Sequence, residues 1–254
     1  MSGEWFFTKT ARPQAPVRLY CLPHAGGGSA VYGAWAAALG DAVEVRAVML
    51  PGRERRLAEP PSVDPDALAA AVMRDADRPF ALFGHSMGAR LGFEVVRRLR
   101  GAGGPLPCRL FVSGAPAPDL PLGGRRYDGL SALGDRELIA ALAAGGGLSE
   151  AVLGSRELLD LLLPAMRADV TWLDTYQYRE QEALPVPLTA FVGTDDDAAP
   201  ADSAAGWRRH TAAAFTLHMV PGGHFFVHEQ LSTVAAVVRA ELAALPALST
   251  GGRP

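Results

Sequence analysis

The chain has 254 residues, 49% of them hydrophobic, enough to bury a large core as one α/β domain or a domain with an insertion; a small stapled fold is excluded. Lys and Arg total 24 against 27 Asp and Glu, a formal charge of −3 with no basic block, which argues against nucleic-acid binding. Cys21 and Cys108 are too few for a disulfide framework, and neither an export-type leader nor an apolar run of about 18 residues occurs, so a cytoplasmic protein without a membrane span is expected.

The first predicted strand, Val17 to Leu22, leads into Pro23-His24-Ala25-Gly26-Gly27-Gly28-Ser29. A phosphate-loop reading fails because no Gly-Lys-Ser/Thr follows. A helix over 31 to 39, packed through Tyr32 and Trp35, precedes a strand from Val43 to Leu50. Arg53, Arg55 and Arg56 come next, in a loop at the end of that strand, and a helix over 64 to 75 packs through Leu68, Ala71 and Val72. The apolar run Phe80 to Phe83 then meets Gly84-His85-Ser86-Met87-Gly88, and residues 86 to 100 place Leu91, Val95 and Leu99 at helical spacing. A serine between two glycines, where a buried strand turns sharply into a helix, is the setting of an acyl-transfer nucleophile.

After a strand from Leu110 to Ser113 the rhythm changes. Residues 115 to 184 hold no core strand but several helical patterns, with Ser155 placed as an N-cap. They predict a helical lid inserted into a hydrolase core of residues 1–114 and 185–254, and Leu158, Leu161, Leu162, Leu163 and Met166 either fill the insertion or line an acyl channel. Strands from Leu188 to Val192 and Phe215 to Val220 and a helix over 229 to 244 complete the chain. Nearly continuous apolar strands alternating with helices predict a mostly parallel, doubly wound sheet.

A serine hydroxyl needs a base at neutral pH. His224, presented by Pro221-Gly222-Gly223 after the last strand, has the best setting of the six histidines. His85 is expected to be pinned beneath the nucleophile turn, and His24 to buttress its own turn. Asp195-Asp196-Asp197 follows the strand ending at Val192 and offers the carboxylate that would fix the imidazole tautomer. Asp196 is preferred, with Asp195 and Asp197 as alternatives. The chain order Ser86, aspartate, His224 is that of α/β-hydrolases. Backbone N–H groups of Met87 and of the turn near Ala25 would stabilise an oxyanion.

The chain resembles the discrete type II thioesterases of polyketide and nonribosomal peptide synthesis. The matching segments are LPHAGG (22–27), PGRERRL (51–57), FGHSMGA (83–89), YDGLSAL (127–133), LLPAMRAD (162–169), and LPVPLTAFVGTDDD leading to PGGHFF (221–226). The resemblance implies an α/β-hydrolase that removes aberrant or stalled acyl groups from the phosphopantetheine thiol of acyl or peptidyl carrier proteins. It implies Ser86 as nucleophile, His224 as acid/base, Asp196 at the family's G-x-x-D position, and Met87 and Ala25 as oxyanion donors. Asp197 stands where the family often has proline, which leaves the register of the acid open. No cofactor or metal is expected, a monomer suffices, and Arg53, Arg55 and Arg56 are candidates for docking an acidic carrier protein or the pantetheine phosphate, unless they are merely solvated. A carboxylesterase or lipase, and a noncatalytic carrier-protein or acyl-ligand scaffold, are the competing classes; the triad residues disfavour the scaffold.

Overall fold

The computed structural model describes residues 4–121 and 129–244. The start of the YDGLSAL segment, Tyr127 and Asp128, lies outside the described residues, as does part of the expected lid.

The strands are β1 (Phe6–Phe7), β2 (Val17–Leu22), β3 (Val43–Val48), β4 (Phe80–His85), β5 (Arg109–Ser113), β6 (Leu188–Gly193) and β7 (Phe215–Val220). The helices are α1 (Trp35–Leu39), α2 (Pro65–Asp75), α3 (Met87–Gly101), α4 (Asp135–Ala144), α5 (Glu150–Leu153), α6 (Arg156–Thr175), α7 (Ala201–Ala205), α8 (Phe226–Glu229) and α9 (Leu231–Ala243). Among the described residues, seven strands form one sheet in the order β1-β3-β2-β4-β5-β6-β7, parallel except for β1. The fold is the expected α/β-hydrolase architecture. The antiparallel β1 was not expected: it is two residues long, too short to show a pattern, and pairs Phe6 with Val48.

Strands β2, β4 and β5 are buried along almost their whole length, which explains their mostly apolar sequence; the charge within β2, Arg18, is paired with Glu44. One face carries Leu82, Leu91, Val95 and Leu110 in a cluster with α2 and α3; the other packs Trp35, Phe83, Phe111 and Phe191 against α1 and α9. The single helix expected over 31 to 39 is instead a short 3₁₀ turn, Ser29–Tyr32, followed by α1. Cys21 is a buried free thiol, and Cys108 is free but only partly buried.

Between β5 and β6 lie a 3₁₀ turn (Leu130–Ala132), α4, α5 and α6. Ser155 caps α6, its Oγ accepting the Leu158 N–H at 3.3 Å. Met166 is fully buried on that helix, whereas Leu158 and Leu161 are exposed. No described helix is long and apolar enough to cross a membrane.

The sheet order fixes where a site can form. The chain runs from β2 outward to β3 and then returns to β4 on the other side of β2, so a crevice opens between the carboxyl ends of β2 and β4. Leu22 is registered with Gly84, which brings the glycine turn after β2 beside the serine turn after β4. Gly193 is registered with Val220, so the aspartate run and the histidine turn leave the sheet together.

Candidate active site

Ser86 occupies the junction of β4 and α3 with φ 55° and ψ −116°, a backbone region that costs a non-glycine residue free energy. The close approach of helix and strand explains its neighbours. A Cβ on Gly84 would lie 2.0 Å from the Gly88 carbonyl oxygen, and one on Gly88 would lie 2.2 Å from the Leu22 carbonyl oxygen. The turn is held from below, where the Ser86 N–H donates to the Ser113 carbonyl at 2.8 Å and His85 Nδ1 stands 3.0 Å from Ser113 Oγ. His85 is therefore pinned in the core by β5, and its ring lies beneath His224 with centroids 5.2 Å apart.

His224 Nε2 is 3.1 Å from Ser86 Oγ, and His224 Nδ1 is 2.9 Å from Asp196 Oδ2 and 3.1 Å from Oδ1. An ionised carboxylate only accepts, so Nδ1 carries the proton and Nε2 is left to accept from the serine hydroxyl. The Asp196 side chain is fully buried, and Oδ1 also accepts the Ala198 and Ala199 N–H groups at 2.9 and 3.3 Å. Asp195 and Asp197 are exposed, so of the three neighbouring carboxylates the structure brings Asp196 to the imidazole.

Met87 is the first residue of α3, where a helix N–H has no intrahelical acceptor. Ala25 lines the same pocket as Ser86. The pocket is walled by Ala115, Leu130, Leu142, Val170, Leu173 and Phe225, so α4 and α6 close over Ser86 with an apolar surface. His24 anchors the turn to the segment after α4: its Nε2 donates to the Gly147 carbonyl at 3.2 Å. Burial drives the His24 pKa down to about 3, despite that hydrogen bond, and burial likewise holds His85 well below the usual imidazole range. His210 and His218 are engaged elsewhere, His210 with Asp119 at 2.7 Å and His218 stacked on Phe191.

The arginine loop departs from expectation. Arg53 and Arg56 are 2% and 5% exposed, so they form no docking surface. Arg53 makes a two-pronged pair with Asp169, and Arg56 pairs with Glu59, donates to the Met49 carbonyl and stacks over Trp5. The guanidiniums of Arg53 and Arg56 satisfy backbone and carboxylate groups inside the protein. Arg55 alone of the three is solvent-facing, paired with exposed Glu4 at 3.1 Å. Asp169 was not singled out from the sequence. Its signal was a charge on the buried α6 face that carries Ala165, Met166 and Val170, which calls for a buried partner.

A doubly wound sheet with a nucleophile elbow, and with His224 between Ser86 and Asp196, defines an α/β-hydrolase. Comparison with known proteins narrows this. Residues 17–242 match the thioesterase domain family. The chain is 36% identical to the gramicidin S biosynthesis protein GrsT of Aneurinibacillus migulanus, covering 89% of each chain. Among solved structures, the type II thioesterase BorB from the borrelidin biosynthetic cluster superposes with a TM-score of 0.83 at 39% identity, over 94% of this chain and 97% of that one. The RedJ thioesterase from the prodiginine pathway of Streptomyces coelicolor gives 0.82 at 37% identity, over 91% and 92%. The chain belongs to the thioesterase family, with type II thioesterases among its relatives, and it is a thioester hydrolase.

Proposed function

We propose that the protein hydrolyses aberrant or stalled acyl groups from the phosphopantetheine thiol of carrier proteins, through an acyl intermediate on Ser86. The observation that carries this reading is His224 bridging Ser86 Oγ and buried Asp196 at the base of an apolar pocket. His224 Nε2 takes the serine proton as Oγ attacks the thioester carbonyl, and Asp196 stabilises the resulting imidazolium and keeps its tautomer. The tetrahedral oxyanion accepts hydrogen bonds from the Met87 and Ala25 N–H groups. Collapse breaks the C–S bond and expels the pantetheine thiolate, which takes the proton from His224. Water then attacks the acyl-serine with the same imidazole as base, releasing the carboxylic acid and restoring the hydroxyl. The chain needs no cofactor or metal for these steps. Phosphopantetheine belongs to the carrier substrate, and the hydrolase works as a single chain.

The helices between β5 and β6 serve as the lid: their apolar residues take up the acyl chain and exclude water from the acyl-serine until the leaving group has gone. Carrier specificity is tested by following several acylated carrier proteins by mass spectrometry and comparing kcat/KM with that for the free oxygen ester of the same acid. A carrier thioester preferred over the oxygen ester is the expected result. The reverse order favours a carboxylesterase.

A further inference from the structure

We infer that the buried Arg53–Asp169 ion pair is a positioning device for the oxyanion turn, with its effect on kcat and not on substrate binding. This rests on the acyl-transfer reading above.

The pair is built as a fork. Arg53 Nη2 donates to Asp169 Oδ1 at 2.7 Å and Nη1 to Oδ2 at 2.8 Å, with side chains 2% and 0% exposed. Both partners also grip the glycine turn. Asp169 Oδ2 accepts the Gly26 N–H at 2.8 Å, and Arg53 Nη1 donates to the Gly27 carbonyl at 2.7 Å. The Gly26 N–H belongs to the peptide after Ala25 and the Ala25 N–H to the one before it, the two planes being hinged at the Ala25 Cα. Asp169 holds the first plane, while the Gly27 N–H donating to the His24 carbonyl at 3.0 Å and His24 Nε2 donating to the Gly147 carbonyl at 3.2 Å hold the other side of the hinge, so the turn presents the Ala25 N–H in one direction. The next residue of the arginine loop completes the clamp, with Glu54 accepting the Ser29 N–H at 3.0 Å and the Ser29 hydroxyl at 2.7 Å.

Two arguments separate this role from simple stabilisation. A buried ion pair contributes little net stability relative to well-packed apolar residues of the same volume, because desolvation offsets attraction. A bidentate fork does fix direction. The position on α6 matters as well: Asp169 precedes Val170, which lines the acyl pocket, so the helix that walls the substrate also holds the turn that would meet its oxyanion.

The test compares D169N and R53K with wild type and with E44Q, which breaks a different buried pair, Arg18–Glu44 at 2.8 Å, at the amino end of the strands. Three quantities are measured: kcat and KM on an acyl-pantetheine thioester, thermal unfolding, and affinity for an acyl trifluoromethyl ketone. Ser86 adds to that ketone, passing its proton to His224 and placing negative charge on the former carbonyl oxygen. D169N is expected to lower kcat by about 10- to 100-fold, with KM changed far less, and to weaken the ketone by a similar factor. R53K, which keeps the charge and loses the fork, falls in the same direction. E44Q is expected to lose stability and keep kcat. The inference is overturned if folded D169N retains wild-type kcat and ketone affinity, if the loss lies in KM alone, or if E44Q loses the same kcat. Should D169N fail to fold, R53K decides by the same criteria. S86A is run in parallel: an inactive S86A beside a fully active D169N overturns this inference alone, whereas an active S86A overturns the acyl-transfer reading and this inference with it.

Discussion

Asp196 meets His224 through both carboxylate oxygens, at 2.9 and 3.1 Å from Nδ1, while Oδ1 is also held by two backbone N–H groups of its own loop. The carboxylate is thus fixed before substrate arrives, and a change at this residue alters the imidazole tautomer more than the fold. D196N should lower kcat by about 10³- to 10⁴-fold, as expected where the wrong tautomer faces the nucleophile. D195N should stay near wild type, because Asp195 is exposed. Steady-state kinetics of both variants check this; equal activity in the two rejects Asp196 as the orienting acid.

Acid should weaken the fold through His24. Its pKa is 6.5 unperturbed and about 3 when buried, so the unfolded chain binds a proton that the folded chain does not. This contribution to stability is present above the unfolded value and is lost as pH falls toward the folded one, at up to about 1.4 kcal/mol per pH unit. Urea unfolding followed between about pH 6.5 and 4 should show a steep decline in wild type and a shallower one in H24Q. Parallel declines would remove His24 as a source.

Val170 is fully buried and lines the pocket, so enlarging it should shorten the acyl chain that fits. V170F is expected to cut kcat/KM for long acyl-pantetheine thioesters selectively while sparing acetyl, at a stability cost of about 1–3 kcal/mol from overpacking. A chain-length series measured on both proteins checks this. A uniform loss across all lengths would show that Val170 does not face the chain.

With Arg53 and Arg56 turned inward, Arg55 is the one member of the loop trio whose charge can reach a partner. R55E should reduce kcat/KM on an acidic acyl-carrier protein several-fold at low salt, with the difference vanishing at high salt, and should leave a free pantetheine thioester unaffected. A salt-independent effect, or none, would dismiss carrier docking at Arg55.

Much of the fold was legible because its central strands are buried on both faces. Val17 to Leu22 coincides with β2, which is buried along its length, its one charge, Arg18, paired with Glu44. Phe215 to Val220 coincides with β7, an edge strand whose Phe215 and Leu217 pack on the core while Met219 is exposed. The turns bearing Ser86, Asp196 and His224 were legible because each follows a strand at the carboxyl edge of the sheet. Asp196 was preferred among three adjacent aspartates with the register left open, because sequence does not show which carboxylate turns inward; the turn after β6 buries only the middle one. The loop arginines misled because sequence shows charge without its partner. Arg53 and Asp169 are 116 positions apart, and nothing short of the folded chain brings them together.

Acyl transfer through Ser86 is best tested by intact-protein and peptide mass spectrometry of the hydrolase quenched during turnover of an acyl-pantetheine thioester, alongside S86A. An acyl adduct is expected on the Ser86 peptide of the wild type, and neither adduct nor released acid from correctly folded S86A. Release of acid by S86A at the wild-type rate, or an adduct carried on another residue, would contradict acyl transfer through Ser86.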